Sequence, residues 1–439
     1  MLRGPLTRLQ LLRLCLVRFG ASFLLILTTG ILNRILIADL GISTLIVTLV
    51  LSFQHLTSPF ALLSGHLSDR FAIRGQRRVP WIRLWTLISA GLVPLMPMVA
   101  LNMGEGGLWF VAGAVLFGVF GFGLKAANLL VSALVVDATS DVDQRGRDLN
   151  FVWTAAIAGF VLAGVFFSLL LPQFDPSSAA DLTRLEQLCW AVSAIAIVLA
   201  FVGTMGLEPP AETSADTSAA VRPDFRSALR SVLNTPGARE IFAFLFLADF
   251  SFFVQEFVLE AFGGEVFDLP VSVTTSFNIT LGLGMIFAMF AGGSLGFLVP
   301  RFPTRRVLVA SCALGALSFA VLAFSAVTDA TTALLVSVFV LGIAKGLYNV
   351  GLAHLFTALA RSATAGVLMG AWGAFGGFAV ALGGLSGGIL QQVAETASGS
   401  LATSYGLVFG VEVLGLLGAM VLILRSRAVE AVEGVEVAP

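Results

Sequence analysis

Six charged side chains, Arg34, Lys125, Asp249, Glu256, Glu260 and Lys345, stand inside runs of apolar residues long enough to cross a bilayer. An ionisable group at that depth is costly, and it marks a cavity, a pathway or a pair. Carboxylates there can carry a proton or meet a cation, while arginine and lysine can close an ion pair or hold an anionic group. Asp249, Glu256 and Glu260 are spaced i, i+7, i+11, which on an uninterrupted helix of about 3.6 residues per turn puts all three on one narrow stripe. That stripe is predicted to face the protein interior. Arg34 and the Glu256–Glu260 end both fall toward the non-cytoplasmic side, so an ion pair between Arg34 and Glu256 is expected to close that mouth. The alternative is that Arg34, Asp39 and Glu260 reach the headgroup layer. Lys125 and Lys345 each sit among glycines, Gly118, Gly121 and Gly123 beside one, Gly342 and Gly346 beside the other. Small residues there permit either tight helix packing or room for a ligand.

Positioning these groups requires membrane-spanning helices. The chain has 439 residues, 57% of them hydrophobic and 12% charged, against roughly half and a quarter in a soluble protein. At about 20 apolar residues per crossing, this length accommodates about twelve helices with short connections and no soluble catalytic domain. Apolar runs bounded by charges, Pro and Gly predict spans near 14–38, 43–67, 80–101, 107–136, 149–172, 186–206, 240–262, 272–299, 306–327, 331–359, 364–392 and 402–424.

The basic residues test that count independently. Of the 25 lysines and arginines, all but Arg34, Lys125, Arg184 and Lys345 fall in the amino-terminal segment, in alternate connections or in the tail. Among them are Arg3, Arg8, Arg13 and Arg18 at the start, and Arg70, Arg74, Arg77, Arg78 and Arg83 after the second span. Basic residues accumulate on the cytoplasmic side, so both termini are read as cytoplasmic. The first segment has no small-residue cleavage site and is predicted to be retained. Leu207 to Pro236 is rich in Pro, Ser, Thr, Ala and charge and reads as a linker. The predicted organisation is a six-helix bundle over 1–206, a cytoplasmic linker over 207–236, a second six-helix bundle over 237–427 and a disordered tail over 428–439. This is an all-α membrane protein of twelve transmembrane helices, laid out as transporters built from two parallel repeats are.

Composition excludes other classes. A net charge of −1 removes the basic face that a nucleic-acid binder needs. Cys15, Cys189 and Cys312 lie too far apart for a disulfide framework or a metal-ligand spacing. There is no phosphate-binding loop, zinc spacing or nucleophile elbow, so an enzyme is not expected.

Gly65-His66-Leu67-Ser68-Asp69-Arg70, followed by Arg77-Arg78, resembles the Gly-x-Leu-x-Asp-Arg…Arg-Arg signature of the major facilitator superfamily at this same connection. Gly65 is expected to let two helices approach closely, and Asp69 to accept hydrogen bonds from Arg or a helix amino end, forming with Arg70, Arg77 and Arg78 a cytoplasmic latch. The equivalent second-half loop, Gly293-Ser294-Leu295-Gly296 then Arg301, Arg305 and Arg306, keeps glycines and arginines without the Asp. The resemblance implies two six-helix pseudo-repeats whose helices 1, 4, 7 and 10 line a central cavity. Those are the predicted helices that carry the six buried charges.

Val254-Gln255-Glu256-Phe257-Val258-Leu259-Glu260-Ala261-Phe262-Gly263-Gly264-Glu265-Val266-Phe267 is similar to the helix-7 signature of the bacteriochlorophyll-delivery branch, the PucC/LhaA light-harvesting assembly family. Asn33-Arg34, Asp39-Leu40, Arg77-Arg78-Val79-Pro80-Trp81-Ile82, Asp137 with Arg145 and Arg147, and Gly370-Ala371-Trp372-Gly373-Ala374 agree with it. Departures are Glu256 where the family has Asp, Ala261 for Pro and Phe262 for Tyr. The resemblance implies an antenna assembly factor in the inner photosynthetic membrane of a bacterium, with antenna polypeptides, membrane lipid and (bacterio)chlorophyll as partners. A chlorin needs an apolar slot and an axial ligand for magnesium. Neutral imidazole is a common metal ligand, which makes His55 and His354 the candidates, with His66 assigned to the cytoplasmic loop. The rival expectation is a proton-coupled facilitator of a small molecule, with Asp249 or Glu256 titrating.

Overall fold

The computed structural model describes residues 6–57, 60–103, 106–138, 142–171, 173–208, 237–291, 303–328, 330–359, 365–426 and 429. Among these residues there is no β-strand, only an isolated bridge between Ile73 and Gln76. The helices are α1 (Arg8–Asp39), α2 (Thr44–Leu56), α3 (Ala61–Arg70), α4 (Val79–Asn102), α5 (Gly107–Ala138), α6 (Val142–Leu170) and α7 (Ala179–Thr204). They continue as α8 (Ala238–Phe253), α9 (Leu259–Glu265), α10 (Val271–Met289), α11 (Thr304–Thr328), α12 (Thr331–Leu359), α13 (Ala365–Ser398) and α14 (Leu401–Arg425).

Among the described residues eleven spans are long and apolar enough to cross a membrane, with α8 and α9 counted as one, and α2 is a shorter apolar helix. Their outward faces carry bare large hydrophobics, Leu108, Leu169, Phe324 and Val327 among them. In water such a surface would be an aggregation hazard; against lipid tails it is the required one. The molecule is a multi-pass membrane protein.

Helix ends follow local chemistry. Thr7 and Gln10 form a reciprocal capping box at the start of α1, and the Ser178 and Ser400 hydroxyls accept the Asp181 and Thr403 amides at the starts of α7 and α14. The predicted span 43–67 is two helices, because Thr57-Ser58-Pro59 follows α2 and a proline disfavours helical backbone in the residue before it. Within α1 the backbone widens into π-helical turns over Leu27–Leu32 and Ile35–Asp39, on either side of Arg34.

Two compact units result, Met1–Ser218 with Pro270–Ile279, and Ala219–Leu269 with Thr280–Pro439. In the first, α1 packs against α6 and α7, while α5 packs against α2, α3 and α4. In the second, α11 packs on α12 and α14, and α8 on α13 and α14. The glycines beside the two lysines make tight packing in each unit. Gly121 of α5 leaves space filled by the Gln54 backbone of α2, and Gly342 of α12 space filled by the Leu281 backbone of α10. A side chain at either place would collide with main chain.

Candidate functional site

The seventh span is interrupted. Helix α8 ends at Phe253, Val254–Phe257 forms a 3₁₀ turn, and α9 resumes at Leu259. A 3₁₀ turn advances about 120° per residue against about 100° in an α-helix. The i, i+7, i+11 stripe of Asp249, Glu256 and Glu260 therefore does not survive, because the turn rotates Glu256 and Glu260 relative to Asp249. Asp249 and Glu260 are both buried, and Glu256 is half-buried.

The interruption is bracketed by neighbouring helices. Glu412 of α14 is fully buried, and its Oε1 accepts the backbone N–H of Gln255 at 2.7 Å. That amide belongs to the turn, and in lipid an amide without a partner is heavily penalised. Gly387 of α13 brings that helix against the Val254 carbonyl. The interruption thus forms without the proline that the family pattern has at Ala261.

Lys345 of α12 is buried beside this turn, its Nζ 4.4 Å from the centroid of the Phe253 ring. Glu256, Glu412 and Asp249 lie within electrostatic range of it. A buried ammonium with carboxyl groups in its electrostatic surroundings needs its charge balanced by partners or by bound protons. Tyr348, on the same helix, donates its hydroxyl to the Leu245 carbonyl of α8 at 3.5 Å. Tyr405 of α14 donates to Glu265 Oε2 at 2.5 Å. The chain has only two tyrosines, and both reach the seventh span, Tyr348 at the Leu245 carbonyl and Tyr405 at the Glu265 carboxyl group. The Tyr405 ring also packs on Phe262, 5.2 Å between centroids, so a phenol absent at 262 is present beside it.

In the first unit Arg34 is buried and ion-paired with Asp39 at the end of α1. Lys125 Nζ and His55 Nδ1 lie 3.2 Å apart, within hydrogen-bond distance. An ammonium donating to Nδ1 puts the ring proton on Nε2, leaving His55 no lone pair for magnesium in this arrangement. His354 is exposed on α12 near the end of its span.

The cytoplasmic signature is assembled differently from expectation. Arg78 is buried, its Nε 2.9 Å from Asp137 Oδ2 and its Nη1 2.5 Å from Ser68 Oγ. Arg70 is exposed with its guanidinium over Phe71, and Arg77 is exposed. The Glu208 carboxylate accepts the backbone N–H groups of Arg77, Arg78 and Val79 at 2.8, 2.9 and 3.0 Å, capping α4. Among the described residues nothing lies within 4 Å of the place a methyl group on Gly65 would take. The side chains of His66 and Asp69, residues 209–236 of the linker, and the second-half loop from Gly293 to Arg301 lie outside the described residues.

Sequence reasoning missed Glu412, Glu208 and the two tyrosines. Glu412 had a signal, being the one charged residue of the apolar run 402–424. Glu208 had a weaker one, as the acid preceding Pro209-Pro210. Among the described residues no three His, Cys, Asp or Glu side chains converge as a metal site.

Comparison with known proteins adds a family. The family model described as PUCC protein matches residues 31–430. A protein PucC of Rhodobacter capsulatus is 28% identical, covering 95% of this chain and 91% of its own. A protein of the same organism named bacteriochlorophyll synthase 44.5 kDa chain is 30% identical, covering 92% of each. Among solved structures, the nucleoside transporter NupG aligns with a TM-score of 0.69 at 16% identity over 94% of this chain and 98% of that one. A D-xylose-proton symporter aligns with a TM-score of 0.70 at 11% identity, over 95% and 97%. The fold is that of major facilitator transporters.

Proposed function

This chain belongs to the PUCC protein family, and from that membership we propose that it is an assembly factor for light-harvesting antenna complexes in the membrane of a phototrophic bacterium. It binds (bacterio)chlorophyll or hands it to antenna polypeptides, and it is not an enzyme. The observation that carries this reading is the match over nearly the whole chain to relatives named PucC, together with a relative whose name refers to bacteriochlorophyll. An apolar, Phe-rich outer surface, 37 phenylalanines against two tyrosines, supports contact with pigment and with antenna helices. Of the two histidines assigned to magnesium, His354 is the better placed, because it is exposed and Nδ1 of His55 is engaged by Lys125.

The reading is tested by deleting the gene in the native cells and recording the membrane absorption spectrum. Loss of antenna bands with reaction-centre bands retained is expected; an unchanged spectrum rejects it. Mild-detergent purification should bring down pigment and small antenna polypeptides.

A second reading, a proton-coupled transporter, is favoured by one observation, the burial of Asp249, Lys345 and Glu412 inside the apolar spans. Reconstituted protein that acidifies or alkalises vesicles only when a solute gradient is applied would favour it over assembly. The cytoplasmic placement of both termini is part of the proposal, supported by the distribution of arginines.

A further inference from the structure

Arg18 was counted with the arginines that anchor topology, yet it lies within α1, ten residues and about 15 Å beyond the helix start. Its side chain is 6% exposed. Nη2 donates to the Asn128 carbonyl of α5 at 3.0 Å and to Ser132 Oγ at 2.6 Å. The guanidinium lies 4.9 Å from the ring centroid of Trp153 on α6. Among the described residues no carboxylate meets it, its Nε is buried without a hydrogen-bond acceptor, and the side-chain oxygen of Asn128 is buried without a donor. A guanidinium stays charged in a protein, and inside a membrane protein a cation is held by an anion or by carbonyls. Here one carbonyl, one hydroxyl and one indole face surround it, and an N–H is left over.

The indole shows how such a site is reached. Trp153 is 52% exposed, so one side of it faces outward while the other covers the guanidinium. We infer that Arg18, Asn128 and Ser132 form a binding site for the anionic head of a membrane amphiphile, a carboxylate or a phosphate, whose apolar body lies along Trp153. The guanidinium edge supplies charge-assisted hydrogen bonds to the head's oxygens. The Asn128 side-chain NH₂ is a further donor, and Ser132, whose hydroxyl accepts from Arg18 and donates to the Asn128 carbonyl, holds the guanidinium in place. This site stands apart from the cluster around Lys345 and does not depend on the assembly reading.

Bromine quenches indole fluorescence at contact, which turns Trp153 into the reporter. Full-length protein in neutral detergent is titrated with dibromostearic acid and with its methyl ester, and in nanodiscs with dibrominated phosphatidylglycerol and phosphatidylcholine. The signal counted is the quenching lost in Trp153→Phe. At least one anionic member, acid or phosphatidylglycerol, should quench it at about tenfold lower concentration than its non-anionic counterpart. That preference should be abolished in Arg18→Gln and kept in Arg18→Lys. Preference for the acid alone identifies a carboxylate, for the phosphatidylglycerol alone a lipid phosphate, and either supports the site. Equal quenching within both pairs in the wild-type protein overturns it, a result independent of how the Arg18 variants fold.

Discussion

Glu412 holds a main-chain amide rather than a side chain, and this separates two kinds of substitution. In Glu412→Gln the side-chain oxygen can still accept from Gln255, whereas in Glu412→Leu the amide is orphaned. Leaving one buried donor unsatisfied costs about 1–3 kcal/mol, so Glu412→Leu should melt lower than Glu412→Gln in detergent thermal unfolding. Equal melting temperatures would show that the cap contributes nothing. Tyr405→Phe removes the hydrogen bond to Glu265 and keeps the ring against Phe262. The expected loss is about 1–3 kcal/mol, the range for a hydrogen bond to an acidic group, measured in the same way. Glu412 was legible as a charge within an apolar run, but its partner was not. The partner is a backbone amide 157 positions away, and no local pattern announces it.

Helices that cross close together tolerate little at the crossing. Gly387→Leu should abolish a monodisperse gel-filtration peak, because the added side chain meets the Val254 carbonyl. Gly65→Ala should leave folding intact, because the space there is open and alanine raises helix propensity by about 1 kcal/mol. A Gly65→Ala protein that fails to fold would restore the close approach expected of the loop signature. At the start of α4, Glu208→Ala removes the acceptor for three amides, with an expected cost of about 1 kcal/mol. Helix existence was readable from apolar runs, since lipid demands continuous hydrophobicity. The 3₁₀ turn at Val254–Phe257 was not, because Glu412 and the glycines of α13 create it from outside the segment. The division between α2 and α3 could have been read from Pro59 and was overlooked under the weight of hydropathy.

For the molecule as a whole, charge asymmetry sets the expected topology. Reporter fusions at the carboxyl terminus and within the linker should both show cytoplasmic activity, while a fusion in the connection holding Arg184 should not. A cytoplasmic signal from the Arg184 connection would require a different span count. The membrane character and helical layout were visible in composition and hydropathy, and the family in the residues from Val254 to Phe267. The candidate site was half visible: six charges within apolar runs could be named, but not the bond from the Gln255 amide to Glu412 or that from Tyr405 to Glu265. One consequence reaches beyond any single contact. A ring of proline bends a chain permanently, since the restraint is covalent. In the seventh span the interruption rests instead on one carboxyl oxygen, one amide and the close approach of α13, so undoing it would break no covalent bond.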